Sequence, residues 1–157
     1  MPGDNEIRKE PSVAPADVDK AFKLWLVSIG IGVLGIIASI AFADRQALID
    51  QAMKNSAALT RDEASTGVTI GLVVGAVVAL IIIGLELFFA FKMRAGRNWA
   101  RIVLTVVGIL GVLFGLFGLT NGLTIATVLN LISIIVVIAA IVFMFRPASG
   151  AYFSRPK

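Results

Sequence analysis

Residues Phe91 to Gly108 read "FKMRAGRNWARIVLTVVG", and how this run is understood decides the fold. Lys92, Arg94, Arg97 and Arg101, with Trp99 among them, interrupt a chain that is almost uncharged on both sides. Such a cluster alone suits a nucleic-acid contact, a lipid-headgroup site, a docking surface or a marker of membrane topology. The flanks choose among these.

Upstream, Gly67 to Phe91 is apolar and broken only by Glu86; downstream, Ile102 to Leu119 and Leu123 to Phe145 are apolar throughout. About 20 helical residues, at about 1.5 Å each, cover a hydrocarbon core of about 30 Å. The downstream run is too long for one perpendicular helix, and Asn121-Gly122 within it signals a tight turn, so it reads as a helical hairpin. Nearer the N-terminus, Leu24 to Ala43 is uncharged and long enough to span. The reading is an all-α integral membrane four-helix bundle, with spans at about 22–43, 67–91, 100–119 and 123–145.

Composition agrees. The chain has 157 residues, 58% hydrophobic and 15% charged, with a mean hydropathy of +0.94. A soluble domain has roughly a quarter of its residues charged, and one this apolar would leave large hydrophobic patches in water. The net charge of +4 and pI near 9.9 are what cytoplasmic Lys and Arg give a membrane protein. Nucleic acid is excluded as a partner, because four cations on a short membrane-bound loop form no groove. The chain has no Cys and no His, which removes disulfides, thiolate nucleophiles, Cys/His zinc sites and imidazole acid–base chemistry.

Placing both termini in the cytoplasm puts eleven of the fourteen Lys and Arg inside and three outside, as the positive-inside rule prefers. The basic run is then the cytoplasmic connection between spans two and three. Gly96 permits its turn, and Trp99 anchors the next helix at headgroup level. Phe22, Trp25, Phe88, Phe89, Phe143, Phe145, Tyr152 and Phe153 fall near the same interface, with Phe114 and Phe117 buried between spans. A rival exists: Ala41-x-Ala43 has the form of a signal-peptidase site, but the apolar run exceeds an h-region and about twenty polar residues precede it.

The remaining segments read as follows. Residues 1–15, polar and carrying Pro2, Pro11 and Pro15, form a disordered tail, and 148–157 a second cytoplasmic tail. Residues 16–147 are the transmembrane domain, with helix from about Ala16. Residues 44–66 form an extracytoplasmic helical loop, in which the first helix extends past the membrane or lies along it. Asn55-Ser56 stops that helix, and Thr60-Arg-Asp-Glu63 has the form of a capping box.

Glu86 is the only acidic residue inside a span. Ionised at a bilayer centre it would cost about 2.5 kcal/mol or more, yet it lies about 8 Å from the inner boundary. There it is expected to pair with a cation of the 92–101 loop, Arg97 and Arg101 being the candidates. Asn130, with Thr127 and Ser133, gives span four a modest polar face for hydrogen bonds across helices. Gly108, Gly111, Gly115 and Gly118 line one face of span three, while Gly71 and Gly75 belong to a small-xxx-small register in span two. Ser28, Gly32, Gly35 and Ser39 do the same in span one. All read as seams where backbones approach closely. No nucleophile–base pair, metal cluster or phosphate loop is present, so the reading assigns no catalytic residue, metal or cofactor.

The run "KMRAGRNWARIVLTVVGIL" resembles a pattern in small, mostly uncharacterised actinobacterial four-span membrane proteins, in which an Arg/Gly-rich turn with a Trp-Ala-Arg core enters a Val/Leu/Gly-rich span. The matching residues are Met93, Arg94, Gly96, Arg97, Asn98, Trp99, Ala100 and Arg101. The resemblance implies a multi-pass protein of the bacterial inner membrane and brings no activity with it. The expected function is a non-catalytic structural or accessory membrane protein that packs with itself or a larger complex. Its basic loop, Lys92 to Arg101, meets anionic headgroups. The alternative is a small proton- or cation-coupled transporter using Glu86.

Overall fold

The computed structural model describes residues 13–119 and 125–154. Over these the chain is all-helical: α1 (Ala16–Ala41), α2 (Arg45–Asn55), α3 (Arg61–Arg94), α4 (Asn98–Gly118), α5 (Ile125–Met144) and α6 (Pro147–Phe153). Four of them, α1, α3, α4 and α5, are long and apolar enough to cross a membrane. The tight turn read at Asn121-Gly122 and most of the N-terminal tail lie outside the described residues.

Local chemistry sets the boundaries. α3 starts at a capping box: the Thr60 hydroxyl accepts from the Glu63 amide, and the Glu63 carboxylate accepts from the Thr60 amide at 2.8 Å. Its 34 residues make it about 51 Å long, well beyond a hydrocarbon core, so its first turns stand clear of the apolar segment. α3 stops at Gly96, whose φ of 78° suits a residue without a side chain. There Gly96 N–H donates to Met93 and Arg97 N–H to Lys92, two bonds that satisfy the last carbonyls of the helix. The first span does not run on into the loop. It breaks after Ala41, and Asp44 caps the separate α2 by accepting from the Ala47 amide at 3.0 Å.

The 148–157 segment is not all tail. Pro147, its φ already suited to a first helical position, begins α6. Ser149, Tyr152 and Phe153 of α6 are buried. The Ser149 hydroxyl donates to the Phe143 carbonyl at 2.8 Å, and Tyr152 OH donates to the Arg94 carbonyl at 3.1 Å.

α1 packs against α3 and α5, most extensively α5, and α4 packs against the same two. α2 lies on α3, and α6 touches α1 and α5. The buried core gathers where α1 and α4 begin and α3 and α5 end: Val18, Ala21, Phe22 and Trp25 meet Ala90, Met93, Ala100, Leu104, Ala140 and Met144. Four fully buried alanines, at 21, 90, 100 and 140, let the backbones close up, as small residues do between helices in lipid. Two aromatic readings need correction. Trp25 is 1% exposed and donates its indole N–H to Met144 Sδ at 3.2 Å, so it is a core residue rather than a headgroup anchor. Phe114 and Phe117 are 73% and 74% exposed, so they are not buried between spans; lipid solvates an aromatic ring as well as a neighbouring helix does.

Candidate functional site

The cations of the opening stretch gather at the packed end, and each described contact is local. Arg94 forms an ion pair with Asp19 at 3.0 Å and lies 4.8 Å over the Phe22 ring. Lys92 lies over Phe88 at 5.4 Å. Arg97 is the N-cap residue of α4, exposed and without a side-chain capping bond. Trp99, about half exposed, meets Phe89 edge-on at 5.8 Å. Arg101 is held between the rings of Phe145 and Phe153, at 4.6 and 4.8 Å, and reaches the Met144 carbonyl at 3.5 Å. Arg146 pairs with Asp17 at 3.5 Å, and Lys23 with Asp19 at 2.8 Å. Cation–π and ion-pair contacts therefore pin α6 and the start of α1 to the 92–101 turn.

Glu86 is not part of this network. Among the described residues it makes no hydrogen bond and no ion pair. The expected partnership with Arg97 or Arg101 is not formed, and Arg101 is turned to the rings of Phe145 and Phe153 instead. Glu86 shares a face of α3 with Ile83, Ala90 and Met93, and Ile83 lies against Gly32 of α1. Arg101 faces the other way, towards α5 and α6.

What Glu86 faces is a cavity of about 260 Å³ lined by all four long helices. Its polar wall is Glu86 from α3, Ser28 from α1, and Asn130 and Ser133 from α5, with Trp25 and Gly108 among its apolar neighbours. The Ser28 and Ser133 hydroxyls are 3.3 Å apart. Asn130 donates from Nδ2 to the Gly115 carbonyl of α4 at 2.8 Å, the cross-helix bond that the polar face of span four suggests. Thus two hydroxyls and an anchored amide converge on one cavity with a carboxylate that has no cation beside it. A carboxylate so placed can accept a proton or hold a cation. The serines can add neutral oxygen contacts.

The chain matches no family model, no curated protein and no solved structure. The site therefore rests on its own geometry.

The glycines divide into two kinds. A Cβ on Gly108 would sit 3.0 Å from Val137 and 3.1 Å from Trp25, and one on Gly115 would sit 2.8 Å from Asn130 Oδ1. These two are seam positions. A Cβ on Gly111, Gly71 or Gly75 would meet nothing within 4 Å: Gly111 borders the cavity, and Gly71 and Gly75 face outwards. Gly118 ends α4. In the sequence Ser28 reads as a packing residue and Tyr152 only as an interface aromatic, while Asp17 and Asp19 carry no assignment. The signal for the acids was present in the first turns of α1, where carboxylates face cations arriving from the other helices.

Proposed function

We propose that this chain is a non-catalytic multi-pass protein of the bacterial inner membrane, a four-helix bundle with both termini cytoplasmic, that binds and passes a proton or a monovalent cation at Glu86. The observation that carries the reading is the unpaired carboxylate in a cavity bounded by all four long helices. An ionisable group in a span destabilises by about 2.5–3.5 kcal/mol unless something compensates, and a purely structural Glu would be expected to have a cation beside it. Here every described ion pair is elsewhere. The orientation is supported by the concentration of Lys and Arg at the end where α1 begins.

The test is flux in proteoliposomes carrying an entrapped pH-sensitive dye, under imposed proton and monovalent-cation gradients. Glu86→Gln should abolish the protein-dependent flux while leaving the purified protein folded. Equal flux in the two proteins would sink the proposal and return the chain to a packing role. Orientation is read separately, with single cysteines at Ser56 and Ser154, both exposed. In intact cells an impermeant maleimide should label the first and spare the second. Ser149 is unsuitable for this purpose because it is fully buried.

A further inference from the structure

Glu86 is bordered by two spaces, not one. On its inner side is the central cavity; on its outer side is a groove of about 340 Å³ between α3 and α4. The groove is apolar, and its outer lining, Leu85, Leu110 and Phe114, is exposed on the surface of the helices. The same four residues border both spaces: Ile82 and Glu86 from α3, Val107 and Gly111 from α4. These are i, i+4 pairs, so each helix contributes one ridge to the partition. The partition has a gap where Gly111 lacks a side chain, since even a Cβ there would touch nothing within 4 Å. Nearer the helix ends, Ala90, Met93 and Ala100 are fully buried, so α3 and α4 close there and part at Glu86.

We propose that the α3–α4 gap is a lateral portal through which an amphiphilic organic monocation, an ammonium with an apolar body, passes from the bilayer to the Glu86 carboxylate. This rests on the reading of Glu86 as the cation site and names its ligand class and route. Three features select that chemistry. Among the described residues the only charge at the gap is a carboxylate, which rejects anions and complements a single positive charge. The walls of the groove are aliphatic and aromatic, with Phe89 and Phe114 among the lining residues, and aromatic rings attract an organic ammonium. A small hard cation such as Mg²⁺ or Ca²⁺ wants six or more oxygens, which one carboxylate facing an apolar groove does not supply.

The experiment uses the full chain in nanodiscs of phosphatidylglycerol, which has no amine headgroup, with radiolabelled benzyltributylammonium as probe and tetramethylammonium as a control of equal charge without an apolar body. Wild type should bind the probe saturably and about tenfold or more tighter than the control. Glu86→Gln should weaken probe binding by a similar factor. Gly111→Leu, whose side chain enters open space, should keep the wild-type thermal midpoint and slow association about tenfold or more; Gly111→Ala should fall between. Wild-type association rates in a folded Gly111→Leu protein would overturn the portal. Failure of wild type to bind the probe, with Glu86-dependent proton flux intact, would overturn the ligand class and leave the function of Glu86 standing. If Glu86→Gln changes neither probe binding nor flux, both proposals fall. Competition by phosphatidylethanolamine added to the discs would make a lipid ammonium the occupant and overturn the free cation.

Discussion

At the end where α6 folds back, Val18, Ala21, Trp25, Met93, Leu104 and Met144 are shut away from the surroundings and every ring has a neighbour. Further along the same helices the contacts thin out: Leu34, Ile70, Val73, Val77, Ile109 and Leu113 are about half exposed or more. The first half is packed as a soluble core is packed. The second presents side chains to lipid, which solvates them as well as another helix would, so nothing drives them together. Glu86 and its cavity sit at the junction. The next turns of α3, Ala90 and Met93, hold its helix firmly, while Gly111 opposite leaves room. A site at that boundary combines a fixed carboxylate with open space, which neither half has alone.

The widest separation between the halves should come from adding side chains to glycines. Gly108→Leu places atoms into Trp25, Val137 and Ile141, and overpacking of this kind destabilises by about 1–3 kcal/mol. Gly75→Leu enters open space and should change stability by no more than about 0.5 kcal/mol. Reversible unfolding of both proteins in detergent and in bicelles makes the measurement. If Gly75→Leu is as damaging as Gly108→Leu in bicelles but harmless in detergent, a second copy covers the α3 stripe in the membrane and the open half is not open.

A smaller effect is expected at Arg101, which ties the packed end together. Arg101→Leu removes two cation–π contacts and a long hydrogen bond, together worth about 1–2 kcal/mol. The loss should free α6 before it unfolds the spans. Cysteine at position 149, sheltered in the wild-type background because Ser149 is fully buried, should then react with a maleimide many times faster. An unchanged labelling rate would mean that the Tyr152 hydroxyl, bonded to the Arg94 carbonyl, and the buried rings of Tyr152 and Phe153 hold α6 without the guanidinium.

The sequence carried the spans, the start of α3 and its end at Gly96, because length, a capping box and a glycine at positive φ act locally. It did not carry azimuth. Glu86 and Arg101 are near each other in a linear sketch of two spans joined by a short turn. Which way each side chain points depends on where α1, α5 and α6 pack, and no periodicity within one helix contains that. Phe114 and Phe117 were misplaced for the same reason, since in lipid an aromatic ring is as stable outside as in. α6 was not legible, and 148–157 reads as a tail. Pro147 marks a helix start, but seven residues hold no convincing pattern until Arg94, Arg101 and Phe143 are known to lie beneath them. The cavity was legible as fragments, Ser28 in one seam and Asn130 with Ser133 on another face, with nothing to show that they meet.

The smallest effect is expected at the hydroxyl pair. Ser28 Oγ and Ser133 Oγ, at 3.3 Å, are well beyond the 2.7–2.8 Å usual for O–H···O bonds, and hydrogen bonds between membrane helices average only about 0.6 kcal/mol. Ser28→Ala and Ser133→Ala should therefore each lower stability by about 0.6 kcal/mol or less, and the double variant should show almost no coupling between them. The same pair should matter more to the site than to the fold, since both hydroxyls line the cavity that holds Glu86. Removing both should weaken benzyltributylammonium binding several-fold with the unfolding midpoint nearly unmoved. A double-mutant cycle in reversible unfolding, run beside the binding isotherms, separates the two roles. A coupling above about 1.7 kcal/mol, the upper end for such bonds, with binding unchanged would show that the serines are a clasp between α1 and α5. The junction would then belong to the packed half, and Glu86 would lose the polar partners that make its cavity a site.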